Sequence, residues 1–124
     1  MSHLKLVALS NLGPSIYTLD CSDASKAETL IKEDGYPQYP RAEIAKFSPI
    51  SGKTLAVVQP SSGIYLVDVE SKKQILYIER KGVIALEWSP KGTYLITCEK
   101  FKTGTTENNL YLWDVKNGEM IVAF

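Results

Sequence analysis

Ile44-Ala45-Lys46-Phe47-Ser48-Pro49-Ile50-Ser51-Gly52-Lys53-Thr54-Leu55-Ala56 recurs as Ile84-Ala85-Leu86-Glu87-Trp88-Ser89-Pro90-Lys91-Gly92-Thr93-Tyr94-Leu95-Ile96, with Gly52 and Gly92 forty residues apart. Each copy leads into a second matching block, Ile64-Tyr65-Leu66-Val67-Asp68-Val69 and Leu110-Tyr111-Leu112-Trp113-Asp114-Val115. The runs are short, rich in β-branched and aromatic residues, and separated by glycine, proline and serine clusters. That pattern predicts strands joined by tight turns. Proline presets φ and cannot donate to a ladder, while glycine accepts positive φ, so Ser48-Pro49-Ile50-Ser51-Gly52 reads as a turn between two strands.

A period of about 40–45 residues built from four strands with a Trp-Asp ending is the pattern of WD40 propeller blades. The chain is therefore read as all-β, a WD40-like β-propeller portion with about two full four-stranded blades and an incomplete N-terminal blade. In the first full copy the strands are Ile44 to Phe47, Thr54 to Gln59, Ile64 to Val69 and Gln74 to Ile78. In the second they are Val83 to Trp88, Thr93 to Cys98, Asn109 to Val115 and Glu119 to Phe124. Ile16-Tyr17-Thr18-Leu19-Asp20 is a worn copy of Ile64 to Asp68. With Leu4 to Leu9 and Glu28 to Lys32 it makes a first blade that lacks its innermost strand. The expected units are 1–43 (incomplete blade and linker), 44–82 and 83–124. All three would belong to one larger propeller truncated at 124, since propellers usually have about 4–8 blades. Lys116-Asn117-Gly118 is expected to be a tight primed hairpin turn.

Spacing also marks an insertion. Gly52 to Asp68 spans sixteen residues and Gly92 to Asp114 spans twenty-two, so the second blade carries an extra loop around Lys100-Phe101-Lys102-Thr103-Gly104-Thr105-Thr106-Glu107.

Bulk composition is that of a folded globular protein, 44% hydrophobic and 23% charged with zero formal net charge. Charge is uneven. Residues 72–102 hold seven basic side chains against Glu79, Glu87 and Glu99, whereas 20–43 hold six acidic ones against Lys26, Lys32 and Arg41. Such patches are commonly solvated loops, and the sharper alternative is a basic surface for nucleic acid. Cys21 and Cys98 have no metal-ligand spacing and read as small buried thiols in a reducing compartment. No run approaches the roughly 18 apolar residues of a membrane span, and the N-terminal run is too short for a signal peptide, so the expected location is the cytoplasm.

Chemistry-bearing motifs are nearly absent. His3 is the only histidine, so no local Ser-His-Asp or Cys-His arrangement can form. No phosphate loop, dinucleotide fingerprint or metal spacing occurs. Catalytic, cofactor-binding and metal residues are all expected to be none, and the protein is not read as an enzyme. Asp68 and Asp114 occupy matching positions and are read as turn caps. Trp88 shares the slot of Phe47 and is read as core, as is Trp113. Two loops remain as candidates for RNA or partner contact. One holds Tyr36, Tyr39 and Arg41, residue types common at interface anchors, or else forms a stiff linker with its rings on apolar surface. The other holds Lys100, Phe101 and Lys102, two cations around an aromatic, able to bind phosphate and stack a base, or else a solvated insertion.

The repeat departs from strict WD40 form. No Gly-His pair precedes the first strand, the first full copy ends Val67-Asp68, and the aspartate usual before the third strand is replaced by Ser61-Ser62 and Asn108, so the hydrogen-bonded tetrad is incomplete. The whole chain resembles the N-terminal region of the eukaryotic translation initiation factor 2A family. The resemblance rests on Leu4-Lys5-Leu6-Val7 with Ser15-Ile16-Tyr17-Thr18-Leu19, on Phe47-Ser48-Pro49, on Leu86-Glu87-Trp88-Ser89-Pro90-Lys91, on the long polar loop, and on Leu112-Trp113-Asp114-Val115-Lys116-Asn117-Gly118. It implies a nine-bladed propeller followed by a basic tail. It also implies a non-catalytic factor, not itself a GTPase, with the small ribosomal subunit, initiator methionyl-tRNA and mRNA as partners. The alternative is a WD40 scaffold for protein–protein interactions. The propeller subunit b of initiation factor 3 and a propeller-lidded peptidase rank below both.

Overall fold

In a computed structural model, residues 3–20, 30–101, 104 and 108–124 are described. They form three antiparallel sheets and no helix. The first sheet has three strands in the order β1 (His3–Ser10), β2 (Gly13–Asp20), β3 (Leu30–Lys32). The second runs β4 (Ile44–Phe47), β5 (Thr54–Gln59), β6 (Gly63–Asp68), β7 (Lys73–Glu79). The third runs β8 (Val83–Trp88), β9 (Tyr94–Glu99), β10 (Leu110–Asp114), β11 (Met120–Ala123). This is the expected propeller portion, two complete four-stranded blades after an incomplete one. Strand limits lie within three residues of the sequence reading, the largest difference being β2, which starts at Gly13 and not at Ile16. Residues 28 and 29 of the expected third strand fall outside the described residues.

The serine-proline turns close alike. Ser48 N–H donates to Thr54 O at 2.7 Å and Ser89 N–H donates to Tyr94 O at 2.9 Å. In each case the same serine's hydroxyl accepts the returning N–H, from Thr54 at 3.1 Å and from Tyr94 at 2.9 Å. Ser48-to-Thr54 is one residue longer than Ser89-to-Tyr94. The extra residue leaves Ile50 in the left-handed region at φ 73°, fully in solvent.

Burial follows the two-residue period of a strand. In the middle sheet, Leu55 pairs with Val67 and Val57 with Tyr65; these side chains face the first sheet. Ala56 pairs with Leu66 and Val58 with Ile64; these face the third sheet. Two cores result. Ile16, Tyr39, Ala42, Leu55, Val57, Val67 and Val69 form one, and Ala56, Val58, Ile64, Leu66, Ile78, Val83, Leu86, Leu95, Tyr111 and Trp113 form the other. Each buried aliphatic side chain contributes about 1.5–3 kcal/mol of transfer free energy, so burial on both faces makes the middle sheet the stability centre. The first and third sheets are covered on one face only. Leu4, Leu6 and Leu30 on one, and Ile96, Leu110 and Val122 on the other, stay in solvent. Leu112 is paired with Ile96 and Val122 on that open side and is only half-buried.

Phe47 and Trp88 hold equivalent positions in successive gaps. Phe47 packs into the first core and Trp88 into the second. Trp88 Nε1–H also donates to Lys46 O at 3.0 Å, and Lys46 pairs with Glu87, tying the inner strands β4 and β8 together. Asp68 accepts Ser71 N–H at 2.8 Å and Asp114 accepts Lys116 N–H at 2.9 Å, so both aspartates cap turns as expected. The Lys116-Asn117-Gly118 turn differs from expectation. Among the described non-glycine residues only Arg41, Ile50 and Lys72 have positive φ; both primed turns need it at the first central residue, here Asn117, so neither is formed. Gly118 alone is left-handed at φ 75°, its N–H donates to Asp114 O, and Asn117 Oδ1 accepts Glu119 N–H instead.

Candidate functional site

Because adjacent strands are antiparallel, the loops fall at two ends of the sheets. The β1–β2 turn, the linker into β4, the β5–β6 turn, the connection into β8 and the β9–β10 loop all lie at one end. A string of hydrogen bonds joins them across all three sheets. Arg41 N–H donates to Asn11 O at 3.2 Å, and Gln59 Nε2–H to Pro40 O at 2.8 Å. Gly82 N–H donates to Pro60 O at 2.9 Å, and Lys100 N–H to Gly82 O at 3.2 Å. Arg41 and Lys100, from loops far apart in sequence, thus belong to one surface.

Of the six candidate contact residues, Arg41, Lys100 and Phe101 are exposed at this end, Phe101 at 62% of its area. Lys102 lies outside the described residues. The two tyrosines face elsewhere. Tyr39 is 5% exposed; its ring sits 4.6 Å from Tyr65 and its hydroxyl donates to Gln74 Oε1 at 2.7 Å. Tyr65 in turn stacks on Tyr77 at 4.7 Å. Tyr36 is half-buried, donates to Val69 O at 2.6 Å and lies under Lys72 Nζ at 5.2 Å. Both rings therefore clamp the linker to the middle sheet, the stiff-linker reading of that segment. Their hydroxyls are spent on the fold because a buried phenol needs a partner.

Lys81 is the residue that sequence reasoning passed over. It was counted in the basic excess of 72–102, yet nothing in its local sequence places it beside Lys100. It is exposed in the connection that ends at Gly82, whose carbonyl receives the Lys100 N–H. None of Arg41, Lys81 and Lys100 forms an ion pair among the described residues; the pairs there are Lys46–Glu87, Lys72–Glu33 and Arg80–Glu99.

Beneath the surface lies a stiff floor. Arg80 binds Glu99, and its guanidinium sits 4.2 Å from the Tyr111 ring centroid and 5.9 Å from that of Trp113. The Glu99 hydrogen bond holds Arg80 above its ordinary pKa. Tyr111 OH donates to Asn108 O at 2.7 Å, anchoring the far side of the inserted loop. Trp113 Nε1–H donates to buried Thr97 Oγ1 at 2.8 Å.

Elsewhere the polar groups have structural tasks. Glu33 is held below the usual carboxylate range, chiefly by the Thr18 hydroxyl, with Lys5 and Lys72 adding to it. It borders a cavity of about 310 Å³ between the β1–β2 hairpin and the linker, lined in part by Leu9, Ile16, Tyr17, Lys32 and Tyr36. Cys98 is a half-buried free thiol, and Cys21 lies outside the described residues. Among the described residues no group of three His, Cys, Asp or Glu could hold a metal ion.

Burial pushes the Tyr39 phenol up from 10.0 to about 12, with Tyr65 adding to it. The folded state disfavours the phenolate, while the unfolded chain ionises near the ordinary value. Stability present below pH 10.0 is therefore lost as pH rises from there to about 12. Over these two or so pH units the full loss is on the order of 3 kcal/mol at about 1.4 kcal/mol per unit. Denaturation followed across this window should show the slope in the native sequence and a shallower one in Tyr39→Phe. Equal slopes would place the ring in water.

A family model described as eukaryotic translation initiation factor eIF2A matches residues 55–123. A crystal structure of a eukaryotic initiation factor is similar over 100% of this chain, with a TM-score of 0.76 and 23% identity. The chain spans 30% of that structure's length. TolB from Acinetobacter baumannii is similar over 96% of this chain and 29% of its own, with a TM-score of 0.59 and 16% identity. At these identities the two structures speak for the fold alone. No curated protein sequence matches.

Proposed function

Because the chain belongs to the eukaryotic translation initiation factor eIF2A family, we propose that it is part of a propeller that binds the small ribosomal subunit and assists delivery of initiator methionyl-tRNA. The family match over residues 55–123 carries this reading. Under it, segments 1–43, 44–82 and 83–124 are successive blades of a larger ring, whose further blades cover the open faces of the first and third sheets. The role is non-catalytic and cytoplasmic. The protein supplies a shaped surface, and the partners bring any chemistry. Tyr36 and Tyr39 hold the linker, while Arg41, Lys100, Phe101 and Lys102 are the contact residues.

Sedimentation of the full-length protein with purified small subunits at two salt concentrations tests the reading. Co-sedimentation that weakens with salt is the expected result, since contacts to ribosomal RNA phosphates release counterions. Absence from the subunit pellet, with partners recovered only from nuclease-treated extract, would replace this role with that of a protein scaffold.

A further inference from the structure

We infer that the end of the sheets carrying Arg41, Lys81, Lys100 and Phe101 binds single-stranded RNA, with the three cations on phosphates and the Phe101 ring stacked on a base. The inference deepens the proposed role and rests on it for its cellular setting, though not for its chemistry. Four observations carry it.

First, the cations come from three different connections that the hydrogen-bond string from Asn11 to Lys100 holds in a fixed row. Arg41 lies in the connection between the first and second sheets and Lys81 in that between the second and third. They are thus about one sheet spacing apart, roughly 10 Å, a step that an extended nucleotide chain spans. Second, all three are exposed and free of ion pairs among the described residues, so no carboxylate must be displaced when a phosphate arrives. Glu43 and Glu79 lie near the same end, also outside those pairs. They keep the long-range field weak and leave attraction to short-range contacts. Third, Phe101 follows Lys100 directly and shows 62% of its surface, although the second core lies just beneath the loop. A large ring held in water beside a cation suits a base face, and only unpaired strands offer base faces, because duplex RNA hides them in its stack. Fourth, the Arg80–Glu99 pair over Tyr111 and Trp113 makes the floor stiff, so little ordering cost falls on binding.

Fluorescence anisotropy of the full-length protein with a labelled adenine-rich RNA of about a dozen nucleotides, and with a hairpin duplex of the same length, tests this. Three phosphate contacts predict a slope of log affinity against log salt of about −2 from this surface, and each of Arg41→Gln, Lys81→Gln and Lys100→Gln should flatten it by about 0.7. Phe101→Ala should weaken binding about tenfold with the slope unchanged, and Phe101→Tyr should restore it. These surface changes should leave the thermal midpoint unaltered. Equal affinity for the duplex, or unchanged binding in the glutamine variants, would overturn the inference. So would lack of RNA binding by a protein that still sediments with small subunits, which would make this end a protein contact. RNA binding without subunit binding would instead overturn the proposed role and leave this inference standing.

Discussion

Trp113→Ala is expected to abolish cooperative folding of this region. The ring is almost wholly buried in the core between the second and third sheets. Emptying such a site costs about 3–5 kcal/mol. The loss does not stop at the cavity. Thr97, fully buried on β9, would keep a hydroxyl whose indole partner is gone, adding about 1–3 kcal/mol. Arg80 would lose one of the two rings beneath it. Against a typical domain stability of about 5–15 kcal/mol the sum is large. A milder pair separates packing from hydrogen bonding. Trp113→Phe and Thr97→Val each strand one buried polar group, whereas the double variant strands neither. Denaturant midpoints should therefore give a double variant less destabilised than the sum of the singles by about 1 kcal/mol. Strict additivity would mean that the bond contributes nothing and packing alone matters.

Gly13→Ala should be nearly as damaging, through the backbone. Gly13 has φ 107°, and a Cβ there would lie 2.4 Å from Tyr39 O, 2.7 Å from its C and 2.9 Å from its N. Main-chain atoms cannot rotate away. The left-handed penalty of about 1–2 kcal/mol adds to an overpacking cost of about 1–3 kcal/mol. The linker must lift, which uncovers Tyr39 and breaks the Arg41-to-Asn11 hydrogen bond. Spectroscopic titration should then find the Tyr39 phenol ionising nearer its ordinary 10.0 than at about 12. Gly52→Ala is the control, since φ is 62° there but nothing lies within 4 Å of the added Cβ. It should cost only the conformational part, about 1 kcal/mol. If both alanines cost the same, the linker is not seated on Gly13.

Elements of the chain differ in how far their sequence announces them. The turns at Ser48-Pro49 and Ser89-Pro90, the capping by Asp68 and Asp114, and the paired slot of Phe47 and Trp88 were legible, because each depends on residues a few positions apart. The Asn117-Gly118 turn was misjudged although it too is local. Two side chains, Asp114 and Asn117, bind backbone N–H groups and favour a wider loop, and a dipeptide rule omits that competition. Tyr39 stood beside Arg41 as a surface candidate because tyrosine and proline at an interface resemble tyrosine and proline over a core. Only the position of Tyr65, twenty-six residues later, separates the two cases.

The sequence by itself determined the repeat, the four-strand unit and the family, because strand periodicity and turn chemistry are written in consecutive residues. The tertiary structure alone decided that Tyr39 is core, that Arg80 bridges two sheets, and that Arg41, Lys81 and Lys100 share one end. The physical reason is that antiparallel pairing sends alternate connections to opposite ends. Hydrogen bonds between those connections then join residues eighteen to thirty positions apart, a relation that no local stretch of sequence contains.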